Sequence, residues 1–508
     1  MERYTQDLGR LLKRKYDAVV CGSGPAGAVT AVELAKRGLQ TLVIEVNDIG
    51  SGALEDVANS IEVSGKRSPL FNFARELGGS SNLWSGRTSF FEKVDFLLNE
   101  WPLEYSDIEE ELFAAQEILG VLPVDLKSEI YKLSPSLLGK LSKPPFSLKS
   151  FVMQHHFEPF NAGKYLNDNQ CDDLFIAKDV YVRRVFENGQ GIVSEVEVRC
   201  LNSDEIFVVQ ANNFIIATGG LDVPRVLMES ELPSFSGQNA LGKFISTHPK
   251  LFVGSLKLKR KINANNAILS DQKVGQQYIR LGLGLDADYI RANDLLNHYI
   301  QLSPAFESYS EGILDFFREK STVVAYLYGL GGFWRKTLEK LGRLFFLITQ
   351  RISGKFGYYS RFRLKLHCDQ FPDKNNQISV SNNTNLNGDK KIDIKWHFSS
   401  RDRANARKFL LAVKESVEIG GIGTVDLDEE INTEDWPLIG MHSHFMGATR
   451  MGDDYSKSVT DSYGKVHGVK NLYIAGPSLF PGYGYTNPML PIVTFALRTS
   501  KAILRNQA

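Results

Sequence analysis

The sequence predicts a mixed α/β chain, α+β overall, in which a discontinuous, doubly wound nucleotide-binding domain encloses a second domain of strands and helices. Three observations carry this expectation. Asp17–Cys21 is an apolar run that enters a glycine turn and then a helical pattern; Asn212–Gly220 (NNFIIATGG) is another buried strand ending in a turn; and Asn471–Gly476 (NLYIAG), followed by a long apolar helix, restores the same style at the C-terminus.

Taken in order, DAVVC (Asp17–Cys21) reads as a strand, GSGPAG as a turn, and the helical spacing of Ala28, Val32 and Ala35 as a helix closed by Gly38. TLVIE (Thr41–Glu45) is a second buried strand ending on a carboxylate, which completes a βαβ unit. Loop-rich sequence from Asn47 to Ser68 leads to a second glycine block, ELGGSSNLWSGR (Glu76–Arg87). Trp101–Val121 is amphipathic and charged. VYVRRVF and IVSEVEV, separated by ENGQG, read as a hairpin within 176–200. Residues 251–440 lack a glycine fingerprint and mix strand-like QISVS and KIDIKW with an amphipathic helix, Arg401–Ile419. The expected organisation is an N-terminal extension (1–15), three nucleotide-domain segments (16–100, 176–250, 441–508), cap elements (101–175) and a substrate domain (251–440).

Composition narrows the function. The 508 residues are 43% hydrophobic and 23% charged, as in a globular enzyme. Lys+Arg and Asp+Glu both total 59, so the basic field that nucleic acid requires is missing and no nucleic-acid partner is expected. Four cysteines without CxxC or Cys/His spacing suit neither a disulfide framework nor zinc, and no metal is expected. Residues 1–15 show no export signal and no uncharged apolar run reaches membrane-spanning length, so the expected location is the cytoplasm.

Gly22, Gly24 and Gly27 form GxGxxG between a strand and a helix, with Pro25 and Ala26 inside it. Gly22 suits the tight turn, Gly24 close approach of a pyrophosphate, and Gly27 close helix packing; the helix N-terminus attracts phosphate and Glu45 can hold ribose hydroxyls. On these residues alone NAD and FAD are equally allowed.

Six further blocks occur in order: GGSSNLWSG (78–86), ATGGLDVPRVLMES (217–230), GKFISTHP (242–249), HFMGATRMG (444–452), KVHGVKNLYIAGPSLFP (465–481) and YTNPMLPI (485–492). Together with the glycine turn they resemble the glucose–methanol–choline (GMC) flavoprotein oxidoreductase family, and among its members most the sugar-oxidising ones of pyranose-oxidase type. The resemblance implies a Rossmann-like FAD-binding domain and a substrate domain on an antiparallel sheet. It also implies oxidation of a CH–OH group of a sugar, amino sugar or related polyol, with O2 or another carrier as the electron acceptor.

By the same resemblance His444 is the catalytic base and Asn487 the residue that orients the substrate oxygen; Asn487 also opens the last helix. His442, two residues earlier, is the rival base, and His248 is assigned a structural place. Gly79, Ser80, Asn82 and Trp84, with Val182, Ala217 and Gly219, are expected cofactor contacts, as are Ala475, Gly476, Asn487, Pro488 and Met489. The second glycine block lacks the histidine of members that attach FAD covalently, so noncovalent FAD is expected. Gly476 replaces the family's Asp.

Phe333–Phe356 interleaves Trp334, Leu338, Leu341, Phe345 and Ile348 with basic residues, as expected of a helix packed on the substrate domain. The same stretch suits membrane-surface contact and a lipid-linked sugar substrate. A non-redox flavin enzyme, a lyase or photoenzyme, is the remaining alternative.

Overall fold

The computed structural model describes residues 8–46, 62–63, 66–67, 74–121, 140, 144–153, 159–235, 239–263, 266, 268–275, 277–304, 358–384, 390–436, 438 and 444–506. His442 and the 333–356 stretch lie outside them.

The first sheet begins with β1 (Tyr16–Cys21) and β2 (Thr41–Glu45), parallel to each other and joined by the helix Pro25–Lys36. Beyond β2 lies β6 (Leu174–Lys178), also parallel. On the other side of β1 lies β9 (Ile206–Ile216), whose C-terminal half runs parallel to β1 and also pairs with β18 (Leu472–Ile474). The N-terminal half of β9 pairs instead with β8 (Val193–Cys200), which forms the expected hairpin with β7 (Val180–Glu187). β2 is buried throughout, as a parallel strand covered on both faces should be. Alternate residues of β1 feed two apolar clusters: Val19 and Cys21 on one face, Ala18 and Val20 on the other beneath Ala28, Val29 and Val32 of the helix. The closing helix, Met489–Arg505, packs on that same helix.

The second sheet is antiparallel: β11 (Gln272–Val274), β12 (Gln277–Leu285), β13 (Tyr299–Pro304), β14 (Tyr358–His367), β10 (Lys250–Asn263) and β17 (Gly423–Leu427), with β5 (Phe146–Met153) on β12. It packs in one core with Phe409, Leu410 and Val413 of the helix Ser400–Ile419. That helix starts at a capping box in which Ser399 accepts Asp402 N and the Asp402 carboxylate accepts Ser399 N. Two short ribbons complete the strands: β3 (Glu62–Val63) with β4 (Lys66–Arg67), and β15 (Gln377–Thr384) with β16 (Lys390–Lys395). Among the described residues no helix is long and apolar enough to cross a membrane.

Candidate active site

The C-terminal ends of β1, β9 and β18 meet in the middle of the first sheet, where Ala217 N donates to Cys21 O (2.8 Å) and Ala475 N to Ile216 O (3.1 Å). Neighbouring elements diverge there, the place where open α/β sheets bind ligands. A cavity of about 530 Å³ runs from this point to His444 and Asn487.

The glycine turn is shaped by backbone crowding. A Cβ on Gly27 would lie 1.9 Å from Gly22 O, and one on Gly22 (φ +105°) would lie 2.5 Å from Ala217 O. Gly24 is different: its φ of −60° is ordinary and a Cβ there would meet no protein atom within 4 Å. Glycine at 24 therefore relieves no internal clash and keeps cavity space free at a helix N-terminus. That is the cradle a pyrophosphate needs.

Ser23 ties three motifs together. Its backbone N–H donates to Glu45 Oε2 (2.8 Å), its hydroxyl donates to the same oxygen, and it accepts Gly78 N (2.9 Å). The second glycine block is thereby held against the first, with a Cβ on Gly79 only 3.1 Å from Gly24 Cα. Sequence reading missed Ser23, although it is the first variable position of GxGxxG.

Of the expected cofactor contacts, Gly22, Gly24, Pro25, Ala26 and Glu45 line the cavity. So do Gly79, Ser80, Trp84 and Val182, and on the strand ends Ala217, Gly219, Ala475 and Gly476, with Pro488 and Met489 at the closing helix. Gly27 stands behind the turn. Asn82 is not at the cavity wall: its amide donates to Glu76 Oε1 (2.9 Å) and Leu77 O (3.1 Å) and its carbonyl accepts from Asn161, so it clamps its own loop. The Val182 carbonyl is taken by Arg225 Nη2 (2.8 Å), a buried guanidinium also paired with Asp222 and Glu229. Sequence reading did not single out that anchor.

The remaining blocks fold around His444. Ser246 and Met446 exchange both backbone hydrogen bonds at 3.0 Å, which brings His248 beside His444, ring centroids 5.6 Å apart and nearly perpendicular. His248 thus packs on His444 as well as being buried. A Cβ on Gly220 would lie 2.1 Å from Phe445 O, which fixes the second strand end against the same segment. Behind this layer, Tyr299 stacks on Tyr485 (5.3 Å) and meets His367 edge-on (5.0 Å).

Burial holds the His444 imidazolium far off, with His248 and Lys250 adding repulsion, so its pKa lies well below the usual histidine value. His248 is pushed down to about 3, by burial first and then by Lys250. At neutral pH His444 is therefore a neutral imidazole able to accept a proton. Asn487 lines the same cavity and its Nδ2 donates to Arg87 O (3.1 Å). It does not open the last helix: Pro488 is the N-cap residue, and the Leu490 N–H is capped from outside by the Thr88 hydroxyl (2.9 Å).

Residues 372–496 match the GMC oxidoreductase C-terminal family profile. The chain is similar to 6'''-hydroxyparomomycin C oxidase of Streptomyces lividus (46% identity over 66 residues, 13% of this chain and 12% of the relative). It is also similar to paromamine 6'-oxidase of Streptomyces fradiae (42% over 60 residues, 12% and 11%) and pyranose 2-oxidase of Tricholoma matsutake (35% over 65 residues, 13% and 12%). The matched stretches thus span about an eighth of each relative's length. Among solved structures, pyridoxine 4-oxidase from Mesorbium loti aligns over 96% of this chain and 99% of its own with a TM-score of 0.59 at 14% identity. Formate oxidase aligns over 97% and 99% with a TM-score of 0.58 at 13% identity. These two establish the shared fold.

Proposed function

We propose that this chain, which carries a GMC oxidoreductase C-terminal domain over residues 372–496, is an FAD-dependent oxidoreductase that converts a CH–OH group of a sugar or related polyol to the carbonyl. The observation that carries the reading is one continuous cavity with an open glycine cradle at Gly24 at one end and a neutral His444 with Asn487 at the other.

FAD, when bound, supplies the two-electron acceptor for the hydrogen on the CH–OH carbon. The cavity residues fit it: Gly24 and Gly219 leave space that their own neighbours do not need, and Glu45 stands beside the turn with its oxygens aligned by Ser23 N and Val46 N. No cysteine lines the cavity among the described residues, and the lining histidine among them is the one that serves as base, which favours noncovalent binding. His444 takes the hydroxyl proton while the carbon gives up its hydrogen with the electron pair. Asn487, tethered to the Arg87 carbonyl, orients the substrate oxygen. A second substrate, O2 or another carrier, removes the electrons, and the free cysteines suit work in the cytoplasm.

The test is the visible spectrum of the purified holoprotein, followed without oxygen while sugars and polyols are added and then with air admitted. Bleaching by a member of the panel is the expected result, and the rate of recovery in air identifies the acceptor. A colourless protein that does not take up FAD would overturn the reading.

A further inference from the structure

Lys250 is the first residue of β10, in register with His367 of β14, and its side chain lines the cavity at the His444 end. The other charged groups of the cavity wall have partners. Glu45 is bound to Ser23 and Asp222 to Arg225, with Arg75 beside Asp222, and Arg87 pairs with Asp271 at 2.7 Å. Lys250 has no carboxylate partner among the described residues. Its charged neighbours are Lys365 and Arg87, both cations, and the imidazoles of His248, His367 and His444 all feel it as a repulsive charge. Arg280, close to Arg87 and Asp271, adds a further cation to this end.

A shielded ammonium without a counter-ion is costly to hold, and such groups concentrate where a ligand completes them. Burial, with Lys365 and Arg87, pulls Lys250 down to about 8, so it is still largely a cation at pH 7. A neutral sugar would leave that charge uncompensated, and an amino sugar would bring another cation to it. An anion would close the pair.

We infer that the substrate of the proposed oxidation is an anionic sugar, with Lys250 binding its carboxylate or phosphate group beside His444. Lys250 is a specificity determinant and takes no part in the proton or electron transfer. The inference rests on the oxidation reading for its chemistry, and its binding can be measured separately.

The experiment pairs each neutral sugar with its charged form: D-glucose with D-glucuronate and D-glucose 6-phosphate, D-galactose with D-galacturonate. Anaerobic reduction of the holoenzyme is expected to show a higher kcat/KM for a charged member than for its neutral parent, and the member preferred separates carboxylate from phosphate. In Lys250→Met that ratio should collapse about ten- to hundredfold, carried by KM, with Lys250→Arg restoring part of it. In parallel, D-gluconate is titrated into the oxidised holoenzyme and the shift of the flavin absorbance is followed. Binding that weakens by a similar factor in Lys250→Met supports the inference whether or not any sugar is oxidised. A preference for neutral sugars, a charged-to-neutral ratio unchanged in Lys250→Met, or gluconate binding that ignores the substitution would each overturn it. Reduction by neutral sugars alone would leave the oxidation reading intact.

Discussion

At the Gly22–Gly27 end of the cavity, shape comes from backbone and from side chains that are missing; at the His444 end it comes from large side chains supplied by segments around residues 87, 250, 392, 444 and 487. The first end is centred on one tight turn, in which Gly22 and Gly27 tolerate no added atoms and Gly24 leaves room for a ligand. The second is assembled only by folding, through pairings such as Ser246 with Met446, and its chemistry depends on how far its charges are shielded from water. The contrast teaches that cofactor binding and substrate handling should fail in different ways.

The sharpest break at the glycine end is Gly27→Val. Its Cβ would overlap the Gly22 carbonyl at 1.9 Å, and neither backbone can give way, so we expect colourless protein with a strongly reduced Tm. Gly24→Ala is the companion. With no neighbour within 4 Å of the new methyl, stability should stay within ~0.5 kcal/mol of the parent, while FAD affinity falls about tenfold or more. An FAD titration showing normal affinity in Gly24→Ala would remove the pyrophosphate from this turn.

The imidazole end should instead be sensitive to acid. His248, His367 and His444 at this end, and His298 in the core beside Asn405, all have pKa values lowered by burial, to about 3 for His248 and about 4 for His298. Each is neutral when folded but takes up a proton below about 6.5 when unfolded, so the unfolded state binds more protons there and stability falls with pH. Each contributes about 1.2 kcal/mol between pH 6 and pH 5, so the four together should lower the unfolding free energy by about 5 kcal/mol, an effect partly opposed by Asp369 and Asp402, whose carboxyl pKa values burial raises. Urea titrations of the apoprotein at the two pH values measure this, and equal midpoints would contradict it.

The same contrast explains what could be read from the sequence. Strand, turn and helix around Gly22 follow from local periodicity, as do the β7–β8 hairpin and the closing helix, because each needs only near neighbours. Lys250 could not be read this way. Like Lys257 it precedes a buried leucine on β10, but Lys257 is exposed, and only the approach of the His444 segment turns Lys250 into a cavity wall. Asn82 illustrates the converse: its motif places it among cofactor contacts, whereas Glu76 and Leu77 of its own loop and Asn161 of a distant one claim its side chain. Ser23 and Arg225 were invisible because a serine in a turn and an arginine in a helix acquire roles only from what folds against them.

Removing the proposed base probes the imidazole end alone. His444→Ala should keep bound FAD, since the glycine cradle does not involve it, and slow anaerobic flavin reduction by ~10²-fold or more. Because the native imidazole is neutral well below the ordinary histidine range, reduction by the parent should show no acid limb near pH 6.5. Reduction at the parental rate in His444→Ala would pass the role to another group, with His442 the first to examine.

Thr88→Val asks how strongly the two ends are mechanically linked. The Thr88 side chain is fully buried; its hydroxyl accepts Leu490 N (2.9 Å) and donates to Asn487 O (3.0 Å), so one oxygen caps the closing helix and holds the backbone of Asn487, the residue proposed to orient the substrate. Valine preserves the shape but leaves a buried N–H and a buried carbonyl without this partner, at a cost of about 1–3 kcal/mol. The Asn487 side chain keeps its own tether to Arg87 O, so its amide should stay aimed into the cavity. The expected outcome is a lower urea midpoint with flavin reduction slowed less than about fivefold. A loss comparable to that of His444→Ala would mean that the cap, rather than the Arg87 tether, sets the orientation of Asn487, and that helix stability and substrate alignment are one property of this chain.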